Sequence, residues 1–383
     1  MVQFLSLSSS VAAFFLLSLG IHDVAAAANC VVAPSSGDAA ANIVSAFNSC
    51  NNGGTVTFTK GVTYNLNSVV TIQGLKHVNV NFAGTINLPA RSSSFKNLDH
   101  QLEQCCHYPR SQACQCQNGN GQAWYDAQDH TAPTVFRFSL TNSKVSGINI
   151  INAPRAHLGV TNSQNLVLDN ITLKTVSTSK NLAKNTDALD VSSSQGIIFQ
   201  NSHLTVGDDC LAVNAGVTNI TLNNVNCVGG HGFSVGSLGK GGATENVNLV
   251  RILNSSCTNC QNGVRIKTWP GGKGKVSDVK YIGLSLVNVD NPIIITTHYC
   301  DQNQESYCNG NDASSLSITG VTISGITGSV SSAGNPIVDI DCSTNTPCTD
   351  FTISGVTVNK ASNTKKNVCI NLQGSSGFPI CSQ

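Results

Sequence analysis

The sequence predicts an all-β chain wound as a single-domain solenoid. Three observations carry that expectation. First, short alternating β-prone runs recur from about Lys144 onward. Leu166-Val167-Leu168-Asp169-Asn170, Ile197-Ile198-Phe199-Gln200-Asn201 and Ile220-Thr221-Leu222-Asn223-Asn224 are the clearest, and Val247 to Arg251, Val279 to Gly283, Leu316 to Gly320 and Phe351 to Gly355 continue them. Second, the anchor positions 147, 170, 201, 224, 251, 283, 320 and 355 fall 23 to 37 residues apart, an irregular repeat that suits coils with loops of varying length. Third, Gly, Asn and Ser separate runs of about four to six residues, and no Asn-Gly hairpin series is present to support an antiparallel sandwich. Val, Ile and Leu then point inward and stack coil on coil. Asn at the turns takes the left-handed conformation or forms side-chain ladders.

The elements follow in order. Met1-Val2-Gln3-Phe4-Leu5 leads into an apolar run from Val11 to Ile21 and small residues Ala25 to Ala28. This pattern reads as a signal peptide over 1–27, although its first residues carry no Lys or Arg. The run is too short to span a bilayer. The remaining chain, 28–383, reads as one domain. Asp38 to Asn48 repeats Ala, Ile, Val and Phe at helical spacing and is expected to be a short helix capping the N-terminal end.

The chain has 16 Cys. Twelve fall into sequence neighbours: Cys30 and Cys50, Cys210 and Cys227, Cys257 and Cys260, Cys300 and Cys308, Cys342 and Cys348, Cys369 and Cys381. Short disulfide loops fit an oxidising compartment, while sequence alone leaves the connectivity open. A metal site at Cys257 and Cys260 lacks the second Cys pair or His cluster it would need. Cys105, Cys106, Cys114 and Cys116 lie with Pro109 in Leu98 to Gln117, where the strand pattern fades. That segment, 98–117, reads either as a disulfide-closed surface loop or as an error in the gene model. Asn170, Asn219 and Asn254 each open an Asn-x-Ser/Thr sequon, compatible with glycosylation of a secreted surface.

Net charge is +1, and charged residues make up 11% of the chain. The overall field does not attract a polyanion, so any such attraction must come from a local cluster. No basic run with interleaved aromatics points to nucleic acid, and no later stretch points to a membrane. Against this background four motifs stand out: Asn185-Thr186-Asp187, Gly207-Asp208-Asp209, Gly230-His231-Gly232 and Arg265-Ile266-Lys267. Crowded carboxylates suit acid and base chemistry, because like charges raise one pKa while another group stays ionised. Arg265 and Lys267 alternate on a strand and project from one face, ready for an anionic substrate. His231, between two glycines, presents an accessible imidazole one coil after Asp209. Asp190 reads as a turn cap.

In this order and spacing the motifs resemble the polygalacturonases of glycoside hydrolase family 28. The resemblance runs from roughly Cys30 to Cys381 and is strongest from Lys184 to Tyr299. It implies a right-handed parallel β-helix, a secreted monomer, a pectic polysaccharide partner, and neither cofactor nor metal. It further implies inverting hydrolysis of α-1,4-galacturonosyl bonds. Asp208 corresponds to the general acid, Asp187 and Asp209 activate water, and His231 tunes the acid. Arg265, Lys267, Tyr299 and Asn185 would contact substrate. Inversion needs about 6.5–9.5 Å between acid and base so that water fits. Ala188 departs from the family pattern, which usually has Gly there. Thr268-Trp269-Pro270-Gly271, Gly236-Ser237-Leu238-Gly239 and Gly119-Asn120-Gly121-Gln122-Ala123-Trp124 look like exo-acting members. Ala212-Val213-Asn214 and Asn262-Gly263-Val264-Arg265 look like endo-acting ones. The balance leans slightly to exo action. The alternatives are a hydrolase of xylogalacturonan or rhamnogalacturonan, a calcium-dependent pectate lyase, and a non-catalytic polysaccharide-binding β-helix.

Overall fold

The computed structural model describes residues 28–72, 75, 78–92, 101–103, 117–301, 304–308, 312–373 and 379–382. The expected signal peptide and Cys105, Cys106, Cys114 and Cys116 lie outside these residues. Within them the chain is all-β, and its strands pair in parallel. One sheet has eleven strands and another sixteen, with a three-stranded sheet at the N-terminal end.

The register of the sixteen-stranded sheet shows how the apolar runs build the interior. Ile197 pairs with Ile220, then Val250, Val279, Val321 and Phe351 in turn. All six are buried. Burying each such side chain contributes about 1.5–3 kcal/mol, and stacking like on like keeps the interior close-packed. The strands are longer than the sequence suggested: Gln195–Thr205 and Thr218–Val228 have 11 residues and Ser317–Val330 has 14. The chain bends at a single left-handed residue and the ladder resumes beyond it.

Those bends form two columns. Asn142, Asn165, Gly196, Asn219, Leu249, Asp278, Gly320 and Asp350 all have positive φ, as do Gly147, Asn170, Asn201, Asn224, Asn254, Gly283, Gly325 and Gly355. The second column carries most of the sequence anchors but corrects two of them. Its bend is Asn254 rather than Arg251, and Gly325 rather than Gly320. Arg251 instead projects from its strand, and its guanidinium lies 2.7 Å from Asp278. The Asn side chains also form ladders, with Asn165 Nδ2 2.8 Å from Asn142 Oδ1 and Asn224 Nδ2 2.9 Å from Asn201 Oδ1. The sequon residues Asn170, Asn219 and Asn254 occupy these columns and are exposed.

The N-terminal helix is Ala40–Ser49, and Ala40, Ile43, Ala46 and Phe47 are buried along it. Asp38 accepts the Ala40 and Asn67 amides, each at 3.0 Å, which fixes the start of the helix. Six disulfides join the six neighbouring Cys pairs. Within the weakly patterned segment, Gln101–Glu103 is a strand between Thr71–Ile72 and Phe136–Ser139.

Candidate active site

Consecutive strands of the eleven-stranded sheet place the motifs side by side. Asp187, Asp209 and His231 each stand two residues before a strand: Leu189–Ser192, Leu211–Val213 and Phe233–Leu238. Arg265 and Lys267 lie within Asn262–Thr268. Asp190 pairs with Ala212, Ala212 with Ser234, and Ser234 with Arg265. Parallel strands lie about 4.8 Å apart, so residues far apart in sequence crowd onto one patch. Gly232 makes this passage possible: its φ is +86°, and a Cβ there would lie 2.1 Å from the Asn262 carbonyl oxygen. Ala188 is fully buried in the space where the family pattern has Gly.

Asp209 is the hub. It is buried, accepts the Ser234 hydroxyl at 2.7 Å, and lies 2.8 Å from Lys267 Nζ and 3.4 Å from Arg265 Nη1. Both basic residues therefore meet on one face, as their alternation suggested. Tyr299 faces the same pair, its ring 5.4 Å from Lys267 Nζ and 5.8 Å from the Arg265 guanidinium. Trp269 packs edge-on behind it. Burial pulls the Lys267 ammonium down, as does Arg265, but the charge and hydrogen bond of Asp209 together with Tyr299 keep it above its ordinary value.

Asp208 and Asp187 are electrostatic opposites. Asp208 lies 3.0 Å from His231 Nδ1 and accepts the Asp209 and Asn185 amides at 2.9 and 3.0 Å. Burial pushes its carboxyl up, yet His231, the Asn185 amide and Lys267 together hold it down at about 2. Asp187 is pushed well above the usual carboxylate range, first by burial and then by the charges of Asp190, Asp208 and Asp209. In the free site Asp208 is therefore ionised, while Asp187 holds its proton more readily than an ordinary carboxyl. Asn185 contributes its backbone amide, held by a left-handed φ of 56°.

Asp190 is not a turn cap. It sits on the strand Leu189–Ser192, outward between buried Leu189 and Val191. Burial, then Asp209 and Asp208, push it up to about 7, against the pull of Arg155 and Arg137. The alternation Leu-Asp-Val-Ser carried that signal. A second omission is His157, fully buried beneath Asp187; a lone His in an apolar stretch carries no distinctive signal.

A cavity of about 210 Å³ adjoins the acids, and Asn185 is part of its lining. Trp124 and Tyr125, from the helix Gln122–Asp126, form one wall, and Arg155, Lys180, Lys184 and His130 also line it. Among the described residues Asp129 is the one acid in the lining, and the fold brings His130 and Arg155 to Lys180 and Lys184.

The carboxylates do not make a convincing cation cage. Asp208, Asp209 and His231 bring three ligand atoms within 4.8 Å of one another. Calcium draws six to eight oxygens, and Lys267 already neutralises Asp209 at 2.8 Å. The other Cys-rich group, Cys210, Cys227, Cys257 and Cys260, is consumed by two disulfides.

Similarity to known proteins agrees with this geometry. The model of "Glycosyl hydrolases family 28" matches residues 27–378. The exopolygalacturonase rpg13 of Rhizopus delemar is 56% identical over the whole of both chains. The exopolygalacturonase of Cochliobolus carbonum is 34% identical over 88% of this chain and 82% of its own. Among solved structures, the endo-xylogalacturonan hydrolase of Aspergillus tubingensis superposes with a TM-score of 0.79 at 25% identity, covering 91% of this chain and all of the other. With the family matched along nearly its whole length and the acid, His and Arg-x-Lys motifs assembled on one patch, this chain belongs to family 28 of the glycosyl hydrolases.

Proposed function

We propose that the chain is a secreted, exo-acting polygalacturonase that hydrolyses α-1,4-galacturonosyl linkages of pectin with inversion. The observation that carries this reading is the patch itself: carboxyls pushed in opposite directions beside Arg265, Lys267 and Tyr299. Arg suits bidentate carboxylate binding and Lys adds a point charge, so the pair selects a galacturonate next to the cleaved bond. In this reading the cavity beside Asn185, with Arg155, Lys180 and Lys184 in its lining, takes the end of an anionic chain. The exopolygalacturonases among its relatives support the same choice over a xylogalacturonan hydrolase.

In this reading Asp208 donates the proton to the leaving oxygen, and Asp187 and Asp209 together activate the attacking water, with Asp209, the carboxylate paired to Lys267, taking its proton. Asp208 is ionised in the free site, so the acid role requires substrate. A galacturonate carboxylate adds negative charge and draws on Arg265 and Lys267, which raises the neighbouring carboxyls. His231, 3.0 Å from Asp208, then governs when that proton is held. The fold is proposed as one right-handed parallel β-helix over 28–383, supported by the parallel ladders. Removal of 1–27, action as a monomer, and glycans on Asn170, Asn219 and Asn254 complete the proposal. The match to rpg13 spans the whole chain, which supports 98–117 as genuine sequence. Proton NMR of freshly cleaved digalacturonate tests the stereochemistry. The β-anomer should form first; initial release of the α-anomer would overturn inversion.

A further inference from the structure

Behind the acids lies a buried hydrogen-bonded chain that the catalytic reading leaves unused. His157 is 0% exposed. Its Nδ1 lies 2.8 Å from the Asp187 carbonyl oxygen and its Nε2 2.8 Å from Thr175 Oγ1. A carbonyl can only accept, so Nδ1 carries the hydrogen and Nε2 accepts from the Thr175 hydroxyl. Thr175 Oγ1 in turn accepts the Ala153 amide at 2.9 Å, and the Ala153 carbonyl accepts the Tyr125 hydroxyl. The chain therefore runs from a wall of the basic cavity to the backbone of Asp187, with every donor and acceptor named and matched.

The Asp187 carbonyl also accepts the His157 backbone amide at 2.8 Å. This bond and the one from the Leu158 amide to the Ala188 carbonyl at 3.2 Å lead into the strand Leu189–Ser192. The imidazole adds a second bond to the Asp187 oxygen from below. Burial lowers the proton affinity of the ring to about 4, so it keeps this neutral tautomer in mildly acidic solution.

We propose that His157 is a positioning residue: its Nδ1–H clamps the Asp187 backbone, and through Thr175, Ala153 and Tyr125 it ties that acid to the cavity wall. The proposal rests on the polygalacturonase reading of the site. A buried His that merely fills space would tolerate any isosteric replacement. A clamp distinguishes between two amides, because an Asn nitrogen occupies the Nδ1 position whereas a Gln nitrogen occupies the Nε2 position.

The experiment compares His157→Asn, His157→Gln and His157→Phe by steady-state kinetics on digalacturonate, with thermal melts of each. His157→Phe should lower kcat by about 10- to 100-fold with KM within about twofold, the signature of a misplaced acid. The limb of its pH profile that Asp187 controls should move to lower pH as Asp187 drifts from the other acids. His157→Asn should recover most of kcat and His157→Gln should not. Equal kcat in Asn and Gln variants, or losses that simply track melting temperature, would overturn the clamp. Should His157→Phe fail to fold, the Asn and Gln pair still decides. Wild-type protein that releases no galacturonate would instead overturn the polygalacturonase reading, and the controls keep the two failures apart.

Discussion

The site patch and the bend columns are built from the same passes of chain, yet they use polar residues in opposite ways. In the bend columns Asn side chains meet Asn one pass away, as Asn224 meets Asn201 at 2.9 Å and Asn165 meets Asn142 at 2.8 Å. The charges in the columns are paired or exposed: Asp278 meets Arg251 at 2.7 Å, and Asp350 faces solvent. On the site patch Asp187, Asp190, Asp208 and Asp209 are crowded together, and two are pushed upward while Asp208 is held down at about 2. The difference teaches that the bends serve the fold, whereas the patch holds repulsion that a purely structural surface would have no reason to keep.

Substitutions at the two regions should therefore separate activity from stability. The largest effect is expected at Asp208. Asp208→Asn should reduce kcat by about 10³–10⁴-fold while the melting temperature stays within about 2 °C of wild type. Parallel loss of folding would make Asp208 structural. Next comes the interior beneath both regions. Leu222→Ala, in a fully buried position, should cost about 2–5 kcal/mol by denaturant unfolding and leave kcat nearly unchanged in the folded fraction.

The acids also give stability a pH dependence with two opposing signs. Asp190 stays protonated up to about 7 when folded, but ionises near about 4 when unfolded. Its contribution is full below that lower value and is lost as pH rises toward 7. Asp208, held at about 2, contributes above about 4 and loses that contribution as pH falls toward 2. Melting temperature should peak in the mildly acidic range, and Asp190→Asn should flatten the alkaline side of the curve. An unchanged alkaline slope would place the raised proton elsewhere. The smallest effect belongs to a bend. Asn224→Ala should lose about 1 kcal/mol, from the ladder bond and the left-handed backbone together, with no change in kcat.

What was legible in the sequence divides along similar lines. The inward columns were readable because Val, Ile and Leu alternate with period two. The acids were readable because charge is scarce and 21 residues separate Asp187 from Asp208, about one pass of chain. The six candidate Cys pairs were readable because their members are neighbours in sequence, while their connectivity needed the structure. Two bend anchors slipped, at Arg251 and Gly320, because left-handed residues come in two columns and spacing alone does not say which column a residue joins. Asp190 was misread because an Asp beside a turn motif usually caps it, whereas here strand alternation prevails. The cavity was beyond reach: Arg155 and Lys184 become neighbours only when successive passes stack. His157 carries its role through a backbone carbonyl, and no pattern of residue types records that.

Mass spectrometry of the products formed from polygalacturonate by the purified protein tests the central claim most directly. Saturated galacturonate monomer from the earliest time points, without a transient spread of oligomers, is the result expected of an exo-acting hydrolase. Saturated oligomers of mixed length would reverse the exo assignment, and products one water lighter would mean elimination and contradict the hydrolytic site.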